Sequence, residues 1–418
     1  MTLQPPPLRN DCFALPPGVD WTPVDQALSL LRDRLHPVVA RQEVPLMQAA
    51  GRVLAGDLVA RRSNPPQANT AVDGYGFAAA SIAGQDTVAL PLVDGRAAAG
   101  VAYDGKVPPG HAIRVLTGAA LPKGVDTVVL DEDCATGEGQ VAFRGPVKPG
   151  SNTRRAGEDI VAGTQILHAG RVLTPADLAL AAATGLNDLP VFAPLRVGVL
   201  STGDEIVPAG APAGPGQIYD ANRPMLLGLI DRFGHLPVDL GHVRDDRAAL
   251  RARLDSAPVD VILTSGGASA GDEDHVSALL RETGALTAWR IALKPGRPLV
   301  LGLWEGKPVF GLPGNPVAAF VCTLVFARPA LGLLAGAGWE EPQAFEVPAA
   351  FSKNKKPGRR EYLRARIRDG RAEVFKSEGS GRISGLSWAE GLVELPDHAM
   401  LVEPGTPVRY LPFGSFGL

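Results

Sequence analysis

Between Leu195 and about Gly338, runs with the period of a buried strand alternate with runs with the period of a helix, and this alternation restricts the possible folds most. LRVGVL (Leu195–Leu200) is almost unbroken apolar sequence, as expected of a strand covered on both faces. Met225, Leu226, Leu229, Ile230 and Phe233 then fall at helical spacing, and Gly234 stands where a helix C-cap belongs. A strand around Val238–Val243, a helix from about Asp246 with Leu250 and Leu254 one turn apart, and a strand Val259–Thr264 follow. Another helix carries Val276, Leu279 and Leu280 and ends near Gly284; then come LVLGL (Leu299–Leu303), PVFGL (Pro308–Leu312) and a helix from Val317. Such βαβα alternation predicts a doubly wound parallel sheet with helices on both faces.

The flanks differ. From about Gly51 to Gly157, short β-like runs (IRVLTG, TVVL, VAF) are separated by KVPPG, LPKG and VKPG with little helical period, which predicts a β-rich inserted domain. PADLALAAAT (Pro175–Thr184) reads as a helix, with Thr174 as N-cap and Pro175 in the first turn. Its expected partner is the helix around Asp25–Arg34, in a small domain split by the insertion. After about Glu341, YLRARI, Asp369-Gly370 and AEVF form a β-hairpin in a C-terminal β domain. The 49 glycines and 38 prolines, about a fifth of the 418 residues against roughly 12% in ordinary proteins, therefore mark turns between short elements rather than low complexity.

Charge and cysteine content exclude several classes. A net charge of −3 carries no footprint for nucleic acid or an anionic membrane, so an anionic ligand needs a local site. Cys12, Cys134 and Cys322 are dispersed, without C-x-x-C spacing, and read as reduced thiols. The start, MTLQPPPLRNDCF, lacks the pattern of a secretory leader. The apolar run Val317–Ala327 is too short to cross a bilayer and is expected to stop at Arg328 and Pro329. The expected location is the cytoplasm.

In a doubly wound sheet, ligands bind beyond the carboxyl ends of the strands. The loops there are STGDE (Ser201–Glu205), RDD (Arg244–Asp246), SGGASAGDED (Ser265–Asp274), KPGRP (Lys294–Pro298) and LPGNP (Leu312–Pro316). Glycine admits close backbone approach, peptide N–H groups at a helix start bind oxygens, and Lys294 and Arg297 neutralise charge, which suits a phosphorylated ligand. The carboxylates suit Mg²⁺, a hard cation that prefers oxygen. Three of these loops also have an ordinary structural reading: Asp246 as a helix N-cap, Asp204 and Glu205 as solvated turn acids, Lys294 as a turn lysine. His242 and His275 have no paired metal-ligand motif and read as cap or surface residues.

Together with VDGYG (Val72–Gly76), RVLTGAALPKGVDTVV (Arg114–Val129), NTRRAGEDI (Asn152–Ile160), GQIYDANR (Gly216–Arg223) and GRREYLRAR (Gly358–Arg366), these strings resemble, over essentially the whole chain, the molybdopterin molybdenumtransferase family, that is MoeA and the gephyrin E domain. The resemblance implies insertion of molybdenum from molybdate into adenylylated molybdopterin, with Mg²⁺-dependent release of AMP. It also implies an elongated homodimer of four-domain protomers with a cleft shared between them, and as possible partners the adenylyltransferase and the recipient molybdoenzymes. The domains expected here are 1–50 with 158–193, 51–157, 194–338 (molybdopterin-binding, MogA-like) and 339–418. By motif, Asp73, Thr117, Glu205, Asp245, Asp274 and Lys294 carry the catalytic roles, and Glu205, Asp245 and Asp274 the metal. Arg154, Asp159, Ser265, Gly266, Gly267, Ser269, Arg290, Arg297, Pro313, Gly314, Asn315 and Pro316 are the expected substrate contacts.

Some positions depart from the family pattern. Thr70, Val72 and Gly76 stand for Ser, Met and Ala, Gln67 for an aromatic, Arg290 for a Lys, and His275 for a Tyr. Two other readings are weighed beside the transferase. An adenylyltransferase would need only the doubly wound domain, and a gephyrin-like scaffold would bind peptides without catalysis.

Overall fold

Thr174 and Pro175 begin a helix for the reasons their chemistry predicts. In the computed structural model, which describes residues 21–266, 275–282, 286–296 and 298–418, Thr174 and Asp177 exchange side-chain and backbone hydrogen bonds in a capping box, with Pro175 in the first turn of α1 (Pro175–Ala183). This helix belongs to the first of two bodies, Glu43–Val191; the second comprises the chain through Gln42 and Phe192–Leu418.

In the first body, β1 (Gly74–Phe77), β2 (Thr87–Ala97), β3 (Ala112–Val115), β4 (Thr127–Leu130), β5 (Cys134–Gly137) and β6 (Gln140–Arg144) form one sheet in the order β4-β1-β3-β2-β6-β5. The pairs are antiparallel except β2 with β3. One core between these strands holds Phe77, Val88 and Phe143, and another holds Ile113, Val115 and Val128. Elsewhere in this body Leu54, Leu173, Ala181 and Leu189 make a separate core around α1.

The apolar stripe of the Asp25–Arg34 helix is filled within the second body. Val24, Ala27 and Leu31 of the helix Val24–Arg34 are buried in the main core of the second body, with Leu331 and Leu334. Its apolar stripe is satisfied there, by a partner some 300 residues away that local pattern does not identify.

The second body contains β7 (Arg196–Thr202), α2 (Asn222–Arg232), β8 (Leu236–Val243), α3 (Arg247–Asp255), β9 (Val261–Ser265), α4 (His275–Glu282), β10 (Leu286–Arg290), β11 (Pro298–Trp304), β12 (Lys307–Leu312) and the long helix α5 (Pro316–Leu334). The sheet runs β8-β7-β9-β12-β11-β10. β8, β7, β9 and β12 are parallel, as expected, whereas β11 runs antiparallel to both its neighbours, β12 and β10. The reason is the connection: Glu305 and Gly306, both at positive φ (49° and 80°), make a two-residue hairpin turn that leaves no room for a crossover helix. Alternate strand residues face opposite layers. Val197, Val199, Leu263 and Phe310 pack on the α2 and α5 side, and Leu200, Ile262 and Val309 on the α3 and α4 side.

The apolar run from Val317 continues beyond its expected stop. A π-helical turn, Thr323–Ala327, precedes Pro329, and the helix runs on to Leu334. Its length and composition would suit a membrane span, yet 78% of its apolar stretch is buried inside the protein, as in a core helix.

The C-terminal strands β13 (Phe345–Pro348), β14 (Arg360–Arg368), β15 (Arg371–Val374), β16 (Gly391–Leu395) and β17 (Pro407–Pro412) form a sheet, with β14 and β15 joined at Asp369-Gly370 as the sequence predicts. Leu293–Lys294 joins this sheet beside β14, with Lys294 opposite Glu361.

Candidate active site

β7, β9 and β12 end at the same edge of the sheet, so their loops converge. Gly266 permits this convergence: its φ is +92°, and a Cβ there would lie 2.7 Å from the Thr202 carbonyl oxygen. A cleft of about 460 Å³ opens at this edge. Ser201, Thr202, Glu205, Ser265, Gly314 and Asn315 are among its walls, with Tyr219 and Pro316 also present. Of the expected site residues, the cleft thus gathers Glu205, Ser265, Gly266, Gly314, Asn315 and Pro316. Gly267, Ser269, Asp274 and Arg297 lie outside the described residues, as does the side chain of Arg290.

The cleft walls are polar below the surface. Ser201 Oγ, Thr202 Oγ1 and Asn222 Oδ1 are buried and have no hydrogen-bond partner among the described residues. Buried groups of this kind are costly unless something completes them. Asn222, which carried no role in the sequence analysis, donates from Nδ2 to Ser265 Oγ and to the Gly314 carbonyl, each at 2.7 Å. Its only signal in the sequence is its place in GQIYDANR.

The acidic loops are ordered by one another. The Asp204 N–H donates to Asp245 Oδ2 (3.3 Å), and the Asp245 N–H to Asp204 Oδ1 (3.2 Å). The neighbouring Asp246 is a helix N-cap, accepting from the N–H groups of Ala248 and Ala249. His242 Nε2 meets the Gly203 carbonyl at 2.7 Å, and the Glu205 carboxylate lies close over Gly203. Among the described residues no group of three or more His, Cys, Asp or Glu side chains is arranged to hold a metal ion. Mg²⁺ needs only one or two protein carboxylates, since water and substrate phosphates supply the rest, so the oxygen donors Glu205 and Asp245 fit that ion in kind.

Lys294 takes part in a different constellation. Its Nζ lies 2.6 Å from Glu378 and 3.4 Å from Glu361, and Lys353 pairs with the same two carboxylates. A second cavity of about 180 Å³ is lined by Lys294, Lys353, Arg364 and Glu378. The pairing with β14 sets this arrangement, and the KPGRP string alone does not reveal it.

The network has a pH signature. Burial acts to raise the Glu378 carboxyl, but hydrogen bonds from Lys294 and Lys353 outweigh it and hold the group below the usual range. Burial acts to lower Lys353, but Glu378 and Glu361 outweigh it and raise that ammonium above its usual value. The Glu378 contribution to stability is therefore present above about pH 4.3, the ordinary glutamate value, and is lost as acid titrates the folded group. The Lys353 contribution is present below about pH 10.4 and is lost as pH rises through its folded value. Melting temperatures measured from pH 3 to 11 should show wild type above Glu378→Gln at neutral pH, with the gap closing at both extremes. A constant gap would rule the network out as its source.

In the first body, the Thr117 N–H and Oγ1 both donate to Asp73 Oδ1, each at 2.6 Å. These hydrogen bonds, led by the side chain, hold the Asp73 carboxyl below its usual range. Thr70 keeps the hydroxyl of the Ser it replaces, donating to the Leu116 carbonyl at 2.6 Å, and it pairs with Thr153. The Thr117 turn and Arg154 are thus hung from one short strand, Asn69–Thr70. Asp159 Oδ2 accepts from Asn64 Nδ2 at 3.0 Å.

Comparison with known proteins covers nearly the whole chain. Residues 22–185 match the MoeA N-terminal region (domain I and II), 198–332 a probable molybdopterin binding domain, and 346–413 the MoeA C-terminal region (domain IV). A molybdopterin molybdenumtransferase of Haemophilus influenzae is 35% identical over 82% of this chain and 85% of its own. Molybdopterin molybdenumtransferase 2 of Mycobacterium tuberculosis is 38% identical over 88% and 93%. The crystal structure of the molybdopterin biosynthesis MoeA protein of Pyrococcus horikoshii superposes with a TM-score of 0.82 at 30% identity, covering 94% of this chain and all of that one (100%).

Proposed function

This chain belongs to the molybdopterin molybdenumtransferase family and is a transferase of molybdenum cofactor biosynthesis, and from that premise we propose that it inserts molybdenum from molybdate into adenylylated molybdopterin, in the cytoplasm, with release of AMP. The observation that carries this reading is the cleft at the ends of β7, β9 and β12, where close-packed glycine backbone and buried hydroxyls meet. Such a surface suits an oxyanion-bearing ligand.

In this reading Ser265, Gly266 and the Leu312–Pro316 loop take the phosphoanhydride of the adenylylated substrate, Gly267 and Ser269 extend that loop by motif, and Lys294, Arg290 and Arg297 are the cations assigned to it by motif. A water or molybdate oxygen forms a new P–O bond at the molybdopterin-side phosphorus as the bond from that phosphorus to the bridging oxygen breaks, and AMP leaves carrying the bridging oxygen. Where water attacks, Glu205 accepts its proton. Arg154 donates hydrogen bonds to molybdate or phosphate oxygens, and Asp73, Thr117 and Asp159 complete this side of the site, with Asp73 holding the Thr117 turn through its N–H and hydroxyl. Glu205, Asp245 and Asp274 would hold Mg²⁺, which would supply charge neutralisation for the phosphoanhydride. The working form is a homodimer.

Purified protein given adenylylated molybdopterin, Mg²⁺ and molybdate should release AMP and yield active cofactor, as read by reconstitution of a molybdoenzyme. Chelation of Mg²⁺ should stop the release. Consumption of ATP with free molybdopterin, and no AMP release from the adenylylated form, would establish the adenylyltransferase instead.

A further inference from the structure

GQIYDANR opens α2 but has no part in the scheme above, and its Asn222 bridges two loops of the cleft wall. Asn222 is 7% exposed and Ser265 5% exposed, so both are held away from bulk water. The two hydrogens of Asn222 Nδ2 go to acceptors on different crossovers: Ser265 Oγ at the end of β9, and the Gly314 carbonyl between β12 and α5. A carbonyl only accepts, so the bond to Gly314 fixes which end of the amide faces the loops. The Ser265 hydroxyl therefore accepts from Asn222, and its own hydrogen remains to be donated elsewhere. The loops are close enough for this to matter. A Cβ on Gly314 would come within 3.9 Å of the Gly266 Cα.

We propose that Asn222 is a positioning residue for the phosphate end of the substrate: it staples Ser265 to Gly314 and turns the Ser265 O–H outward as a donor to a phosphate oxygen. The proposal rests on the reading of the cleft as the adenylylated-molybdopterin site. Asn222 touches no reacting atom and acts through Ser265. Losing one hydrogen bond to a charged group should raise KM by roughly 10-fold to 100-fold, with kcat nearly unchanged, because the contact is made in ground state and transition state alike.

The test is a double-mutant cycle of Asn222→Ala and Ser265→Ala, read in KM and kcat for AMP release. Each single change should raise KM, and Ser265→Ala added to Asn222→Ala should change it by less than about twofold, the scatter of non-interacting steps. Effects that multiply independently, or a wild-type KM in Asn222→Ala, would overturn the proposal; so would a fall in kcat with KM unchanged. Should Asn222→Ala fail to fold, Asn222→Asp runs the same cycle with the side-chain shape kept, and any simple charge repulsion it adds persists in the Ser265→Ala background. The same cycle in Kd for inorganic pyrophosphate needs no turnover. If wild type binds pyrophosphate with the coupled pattern yet releases no AMP, the functional reading fails and the role of Asn222 stands.

Discussion

Glu205→Gln and Asp274→Asn should each reduce AMP release from adenylylated molybdopterin to about 1% of the wild-type rate or less, the ordinary loss when a positioned proton-transfer or charge-bearing group is removed. For Glu205 the substitution isolates charge from shape. Its backbone is pinned on both sides, since its carbonyl accepts from the Ile218 N–H at 2.8 Å and His242 holds the Gly203 carbonyl before it. The side chain folds over Gly203, where any Cβ would come within 2.5 Å of a carboxylate oxygen. An amide of the same size keeps that contact and loses only the negative charge. Asp246→Ala serves as the control, because that carboxylate is spent on the N-cap of α3 and should cost about 1 kcal/mol of stability without slowing turnover. Wild-type rates in both Glu205→Gln and Asp274→Asn, measured by AMP chromatography, would remove these acids from the mechanism.

The contrast between Asp246 and Glu205 also indicates what the sequence could reveal. Local chemistry was legible: the Asp246 and Thr174 caps, the hairpin at Asp369-Gly370, and the apolar strands buried on two faces all follow from short-range rules. The antiparallel addition of β11 was also written locally, in the two residues between LVLGLW and KPVFGL, but the βαβα pattern on either side outweighed it. Long-range pairing was not legible. Lys294 stands in a glycine-rich loop like its neighbours, and only the register Lys294 to Glu361, across 67 positions, commits it to the C-terminal sheet. Val24, Ala27 and Leu31 likewise show a stripe without naming its partner. The helix through Pro329 defeats the usual rule because a π-helical turn accommodates the missing donor.

The family string around Asp73 carries the second large effect, and here a departure is explained by packing. Gly74→Ala should lower the melting transition of the Glu43–Val191 body by about 6–12 °C, equivalent to about 3 kcal/mol or more for a body of this size. A Cβ at Gly74 would lie 1.9 Å from the Val129 carbonyl oxygen and 2.9 Å from its carbon, on the strand β4 that pairs with β1. Backbone within a ladder cannot rotate aside, so β1 and β4 must separate. Gly74 also follows Asp73, whose carboxylate holds the Thr117 turn, and the same change should lower the activity of whatever protein remains folded. Gly76, two residues along, provides the comparison. Its missing Cβ would meet Val125 Cγ1 at 2.7 Å, a side-chain atom, which explains why glycine stands here in place of the alanine of relatives. Gly76→Ala should therefore cost less than Gly74→Ala, and Val125→Ala in the same chain should recover most of that cost. Scanning calorimetry of wild type and the four variants, Gly74→Ala and Gly76→Ala each with and without Val125→Ala, decides the matter: if Gly74→Ala melts with wild type, or if Val125→Ala rescues it as well as it rescues Gly76→Ala, the strand contact is not what makes this glycine necessary.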